Sequence, residues 1–221
     1  MVENSETITT DRMETRAAGT RSARSDETRR RLVETATRLF AERGYDGTSV
    51  KELAASAGIS QGSIFWHFGS KQGLLFEVVD SAFASWEREV LAPLIDSDGA
   101  PADLTAIVDS HRSFARRNPQ IAGHLFFALI SDAIGRRPEL REAYSRMYER
   151  FRGHALAWIG RAIGDGHCRS DVDPAAVAAL MVGAMAGISL QNLIGGDTID
   201  FDRAHDDLAR VLERGLRPST T

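Results

Sequence analysis

Large apolar residues are almost absent from positions 1–25 and then return at helical spacing. The opening stretch is rich in Thr, Ser and Arg and reads as a disordered polar arm. From Asp26 onward, Leu32, Val33, Ala36, Leu39 and Phe40 recur at three- and four-residue steps, and Gly44 closes the helix they predict. A second, short helix follows Ser49, whose spacing to Glu52 matches a capping box. Its apolar face is Val50, Leu53, Ala54 and Ala57. Gly58 suits a tight turn and Ser60 a cap, so a third helix is expected over residues 61–68. After Gly69 and Ser70 a long helix starts at Lys71, and Pro93 must end or bend it.

Further helices are predicted over 101–118, 119–135, 138–163, 174–194 and 200–216, each bounded by Gly, Pro, Asn or Asp. Asn118 before Pro119 and Asp173 before Pro174 pair a capping residue with a first-turn proline. No stretch reads convincingly as a strand, and no repeat is visible. The expected class is all-α. An N-terminal three-helix head with a helix-turn-helix (26–71) follows the arm (1–25), and a larger helical domain (72–221) follows the head.

Composition changes this picture little. With 43% apolar residues in 221 the chain is ordinary for a globular protein. The net charge of −4 argues against a protein that coats nucleic acid, but its placement is informative. Residues 1–71 carry 11 Lys/Arg and 10 Asp/Glu, whereas the remainder carries 16 and 21. A near-neutral head on an acidic body suits local contact with DNA through a few side chains; an acidic body is also a common solubility device. Arg16, Arg21 and Arg24 form an acid-free patch that fits a DNA groove or backbone, or simply a solvated tail. Arg29, Arg30 and Arg31 face different ways on a helix, so most are expected to be solvated, with one near a DNA backbone. Cys168 is alone and cannot form an internal disulfide. No apolar N-terminal stretch reads as a secretion signal, and a cytoplasmic location is expected.

Two short helices joined by a glycine turn form a helix-turn-helix outline, in which the second helix offers its N-terminal side chains to a major groove. The residues go beyond an outline. Thr48-Ser49-Val50-Lys51-Glu52-Leu53-Ala54, then Gly58-Ile59-Ser60-Gln61-Gly62-Ser63-Ile64-Phe65-Trp66-His67-Phe68 and Lys71 strongly resemble the DNA-binding segment of the tetracycline-repressor (TetR) family. The likeness runs from about Thr28 to Leu75. It implies that Gln61, Gly62 and Ser63 start the recognition helix in the groove. It further implies that Phe65, Trp66 and His67 touch backbone or groove, and that Thr48, Ser49 and Lys71 meet phosphates. Phe65 stands where the family usually has Tyr, removing a hydroxyl, and Gln61 where Lys is frequent, exchanging a charge for an amide that can pair with adenine. Independently of any resemblance, four consecutive bulky residues, Phe65 to Phe68, cannot all point inward at 3.6 residues per turn. Phe68 and Ile64 are expected inside, and an exposed aromatic beside His67 wants a partner.

The same resemblance implies a ligand-responsive repressor that binds a pseudo-palindromic DNA operator as a homodimer, without a cofactor and without catalysis. Aromatic and His residues gather between head and C-terminal helices, and His111, Phe114, His124, Phe127, Tyr148, Phe151 and Trp158 are candidates to line a chamber for a small lipophilic effector. Residues 174–196 lack any charge and contain Gly183-x-x-x-Gly187, which suits a membrane helix or a closely packed subunit interface. Ala- and Gly-richness, with Ser189, Gln191 and Asn192 near the end, favours the interface and no membrane. Leu180, Ala184, Gly187 and Gln191 there, with Leu208, Val211 and Leu212 on the last helix, are the expected dimer face.

Competing chemistry finds little support. Gly58-Ile59-Ser60-Gln61-Gly62 matches the G-x-S-x-G of a hydrolase nucleophile elbow, but that turn needs a preceding strand, and Lys51 to Ala57 reads as helix. The six histidines show no metal-ligand spacing, so no metal is expected. An enzyme built in the helical domain and a protein-binding helical module are the remaining alternatives; salt-dependent, sequence-selective DNA binding separates them.

Overall fold

The structure, a computed structural model, describes residues 4–91, 94, 105–135 and 137–218, with side chains from residue 22 onward except 131 and 197. Among the described residues there are nine α-helices and no strand. They are α1 (Asn4–Arg43), α2 (Val50–Ala57), α3 (Gln61–Phe68), α4 (Lys71–Trp86) and α5 (Ala106–Arg117), then α6 (Phe126–Gly135), α7 (Pro138–Gly164), α8 (Pro174–Gly195) and α9 (Phe201–Leu216). π-helical turns at Glu87–Leu91 and Gln120–Leu125 follow α4 and precede α6. Pro93 and Pro101, expected to bound helices, lie outside the described residues, as do the side chains of Arg16 and Arg21.

Helix starts follow local chemistry. The Ser60, Ser70, Asp173 and Asp200 side chains each accept a backbone N–H in the first turn of the helix they precede. Pro138 and Pro174 occupy first-turn positions where a missing N–H costs nothing. The polar segment before Asp26 differs from the expected irregular arm: from Asn4 its backbone continues α1. A helix held by packing at one end extends without a new nucleation step, even where no apolar stripe is present.

α1 packs on α2, α4 and α6, α7 packs along α8, and α9 lies against α5. Leu32, Phe40, Leu53 and Ile64 in the head and Phe114, Leu129, Ile159 and Met181 in the body are among the deepest side chains of one continuous core. α4 runs from the head into the body and buries Leu74, Leu75, Val78, Val79, Phe83 and Trp86 on the way.

Candidate nucleic-acid interface and effector cavity

α2 and α3 are short, so their ends decide their angle. The Ser49 hydroxyl accepts the Glu52 N–H at 3.1 Å, and the Glu52 carboxylate accepts the Ser49 N–H at 2.8 Å. That backbone hydrogen bond, ahead of the hydroxyl's, holds the Glu52 carboxyl below its ordinary value. At the other end Gly58 adopts φ +67°, which a residue with a Cβ rarely takes. Its N–H reaches the Ala55 carbonyl at 3.2 Å, the Ile59 N–H reaches that of Ala54 at 3.0 Å, and the Arg31 guanidinium donates to Ala57. The chain therefore reverses sharply into α3, with Ile64 fully buried.

α3 presents Gln61, Gly62, Phe65 and Trp66 outward, with Ser63 and His67 half-buried at the edge. Phe65 is 52% and Trp66 72% exposed, values that no core role explains. The Trp66 and His67 rings stand nearly perpendicular with centroids 4.4 Å apart. Burial first, then the charge of Arg29, keeps the His67 pKa low, so its imidazole is neutral at neutral pH. α3 offers an amide, an imidazole and two aromatic faces, and no acid to repel phosphate.

Three expected phosphate contacts sit differently. Thr48 is 1% exposed, and its hydroxyl lies 2.9 Å from the Gly44 carbonyl and 3.3 Å from that of Leu39, tying the turn to the end of α1. Lys71 is half-buried; its ammonium donates to the Tyr45 carbonyl, sits 4.0 Å from the Tyr45 ring centroid, and burial lowers its pKa. Ser49 is exposed but its hydroxyl serves the cap. Thr48 and Lys71 stand where the chain turns back onto α1, and backbone carbonyls there need donors. Thr48→Val is accordingly expected to destabilise the fold by about 1–2 kcal/mol. A urea titration checks this; a phosphate-binding role would instead leave the midpoint in place and lower DNA affinity.

The arginine triplet is also engaged. Arg29 pairs with Glu77 of α4 at 2.6 Å, Arg30 with Glu27 and Glu34 on its own helix, and Arg31 caps α2. All three stay exposed, as expected for most of them, with Arg29 and Arg30 in surface ion pairs. One contact had no sequence signal beyond a basic residue before Pro138. Arg137 lies 4.2 Å from the Tyr45 ring centroid, which Lys71 also approaches, and pairs with Asp46. Body and head are thereby clasped through Tyr45.

Below the head, α4, α5, α6, α7, α8 and the π-turn before α6 surround a cavity with about 100 Å³ open to the centre of a water-sized molecule. His111, Phe114, Phe127, Tyr148 and Phe151 line it as expected from sequence. His124 and Trp158 do not. His124 is exposed and borders a separate groove beside Pro119 and Phe201. Trp158 is 4% exposed and lies two turns, about 10 Å, beyond Phe151 along α7, where that helix meets solid core. Sequence reasoning missed Phe83 and Trp86 of α4 and Met181, Met185 and Ser189 of α8, since only the aromatic-rich middle of the chain was conspicuous.

Polar groups in this wall are few. The Trp86 indole N–H donates to Nδ1 of His111 at 3.3 Å, and Nε2 of His111 lies 3.4 Å from the Ser189 hydroxyl. Burial, then the nearby His205, pushes the His111 pKa down to about 4. The Tyr144 hydroxyl donates to the Phe126 carbonyl at 2.8 Å, and burial drives its pKa up.

Comparison with known proteins agrees with both halves of this architecture. Residues 32–78 match the model for bacterial regulatory proteins of the tetR family, and residues 100–208 the tetracyclin repressor-like C-terminal domain. The HTH-type transcriptional repressor KstR2 of Rhodococcus jostii (strain RHA1) is 32% identical over 152 residues, 66% of this chain and 70% of that one. The chain belongs to the TetR family. A TetR transcriptional regulator from Chloroflexus aurantiacus superposes with a TM-score of 0.78 at 27% identity, covering 89% of this chain and all of that one. A protein from Saccharomonospora viridis in complex with choline superposes at 0.74 with 24% identity, covering 87% and 98%. The chain is thus a DNA-binding transcriptional regulator rather than an enzyme. Consistently, Ser60 of the G-x-S-x-G match follows a helix and caps another, which is not an elbow.

In this TetR-family regulator α8 and α9 leave an apolar face uncovered. Leu180 is 69%, Ile194 78% and Val211 67% exposed. Gln191 is exposed, Ala184 and Gly187 are half-buried, and a Cβ built at Gly183 or Gly187 meets nothing within 4 Å. The α9 stripe divides: Leu208 and Leu212, expected on the dimer face, rest partly against the subunit's own core, with His205 and Leu216 buried beside them. Val211 projects from the other side. α8 is long and apolar enough to cross a membrane by length and composition, with mean hydropathy 1.7. One flank of it, through Val177, Ala178, Met181 and Met185, is packed in the core.

Proposed function

We propose that this regulator is a cytoplasmic, homodimeric repressor that holds a pseudo-palindromic operator and releases it when a small lipophilic effector enters the cavity. The observation that carries the reading is the course of α4. It begins at Lys71, directly after the recognition helix and its Gly69-Ser70 turn, and lends Val79, Ala82, Phe83 and Trp86 to the cavity wall. A molecule that displaces this wall moves the helix on which the head is mounted. The Saccharomonospora viridis protein, similar in fold, holds choline, which supports a small-molecule site in such a body but not the chemistry of the ligand here. Full release, from about 99% operator-competent to about 1%, needs roughly 5.5 kcal/mol of differential effector affinity. The Arg137 clasp on Tyr45 and Asp46 is a second mechanical link from body to head.

Footprinting on DNA from upstream of the protein's own gene, at two salt concentrations, tests the DNA half of this reading. Two protected half-sites about 34–36 Å apart are expected, with protection weakening as salt rises. The reading fails if neither that DNA nor a selection from whole-genome fragments yields selective, salt-sensitive binding.

A further inference from the structure

No Lys, Arg, Asp or Glu side chain lines the cavity. Its polar groups are the Tyr144 and Tyr148 hydroxyls, on the α7 side, and the point where three elements meet, at Trp86 of α4, His111 of α5 and Ser189 of α8. An indole N–H can only donate, so Nδ1 of His111 accepts and the proton of the neutral ring sits on Nε2. At 3.4 Å that Nε2–H has only a long contact with the Ser189 hydroxyl, which is itself buried. Burial keeps the ring uncharged across the physiological range. Tyr144 adds no donor, being engaged with Phe126. The free space, about 100 Å³, is several times the roughly 10–15 Å³ that one water needs by this measure, so it suits an organic molecule.

We propose that the cavity takes an uncharged, lipophilic molecule with one acceptor oxygen, a ketone, ester or alcohol, which His111 Nε2–H and the Ser189 hydroxyl receive together. Carboxylates and quaternary ammonium ions of equal length are excluded. The proposal rests on the effector reading above and narrows it. A carboxylate here meets no cation, and a cation meets aromatic faces (Phe83, Trp86, Phe151) without a counter-charge in the wall. The position has a mechanical meaning as well. An oxygen inserted at the long His111–Ser189 contact intervenes in the chain of hydrogen bonds from α4 to α8.

Binding of 2-octanone, 1-octanol, octanoate, octyltrimethylammonium and butylbenzene to the full-length protein, by calorimetry, tests this with wild type, His111→Phe and Ser189→Ala. The ketone and alcohol are expected to bind at least tenfold tighter than either ion. Each variant is expected to lose about tenfold for the ketone while holding butylbenzene as wild type does, which also certifies an intact cavity. Equal or tighter binding of octanoate or the ammonium overturns the proposal, as does an unchanged ketone-to-butylbenzene ratio in both variants, or no binding by any probe. Release of footprinted DNA is read separately. A ketone that binds without releasing DNA leaves this site standing and sinks the effector reading; an ion that binds and releases DNA does the reverse.

Discussion

Gln61→Ala is expected to weaken operator binding at least about 30-fold while leaving the melting temperature in place. The side chain is exposed at the first position of α3 and has no partner within the head, so its loss takes nothing from the fold. A glutamine amide paired to an adenine edge contributes about 1–3 kcal/mol of discrimination, and a dimer applies it twice. Two contacts at the low end already amount to about 2 kcal/mol, which is roughly 30-fold. Gln61 carries no charge, so the slope of affinity against salt is expected to stay as in wild type. Anisotropy titrations of labelled operator at several salt concentrations, beside a thermal melt, separate the outcomes. A uniform loss across sequences with unaltered base preference would place Gln61 on the backbone and leave Trp66 and His67 as the base readers.

If the proposed dimer forms through this face, the double substitution Leu180→Asp and Val211→Asp is expected to leave a monomer and to abolish measurable operator binding at micromolar protein. Both side chains are about two-thirds exposed in the single subunit, so the charges are readily solvated there and the monomer should melt close to wild type. Brought against their symmetry mates, the same four carboxylates would be desolvated and opposed, which no apolar contact on this face offsets. One short head then remains, and the gain from holding two half-sites at once disappears. Sedimentation velocity reads the assembly and anisotropy the DNA. A dimer that survives both charges would place the interface elsewhere, and the open approach to Gly183 and Gly187 would need another occupant.

The head was legible because its determinants are local. The Ser49–Glu52 box, the positive φ at Gly58 and the Ser60 cap act within a few residues of themselves, and they start and stop α2 and α3. Four adjacent bulky residues forced some outward, and the structure turns out Phe65 and Trp66 while keeping Ile64 and most of Phe68 in. The misplacements in the same head have one cause. Thr48 and Lys71 looked like groups for phosphate, yet each bonds a carbonyl that a turn had left open. Such a demand is invisible until the turn exists.

By itself the amino-acid order determined the all-helical class, the punctuation of the helices and which side of α3 is exposed, all consequences of periodicity and capping within one or two turns. The tertiary structure alone decided the rest. It joined Trp86, His111 and Ser189, spread over more than a hundred residues, into one polar cluster of a mostly apolar cavity. It moved Trp158 and His124 out of that cavity, divided the α9 stripe between core and surface, and set Arg137 against Tyr45. Those contacts depend on where helices cross, which is set by the packing of whole faces against one another rather than by any residue's neighbours in the chain.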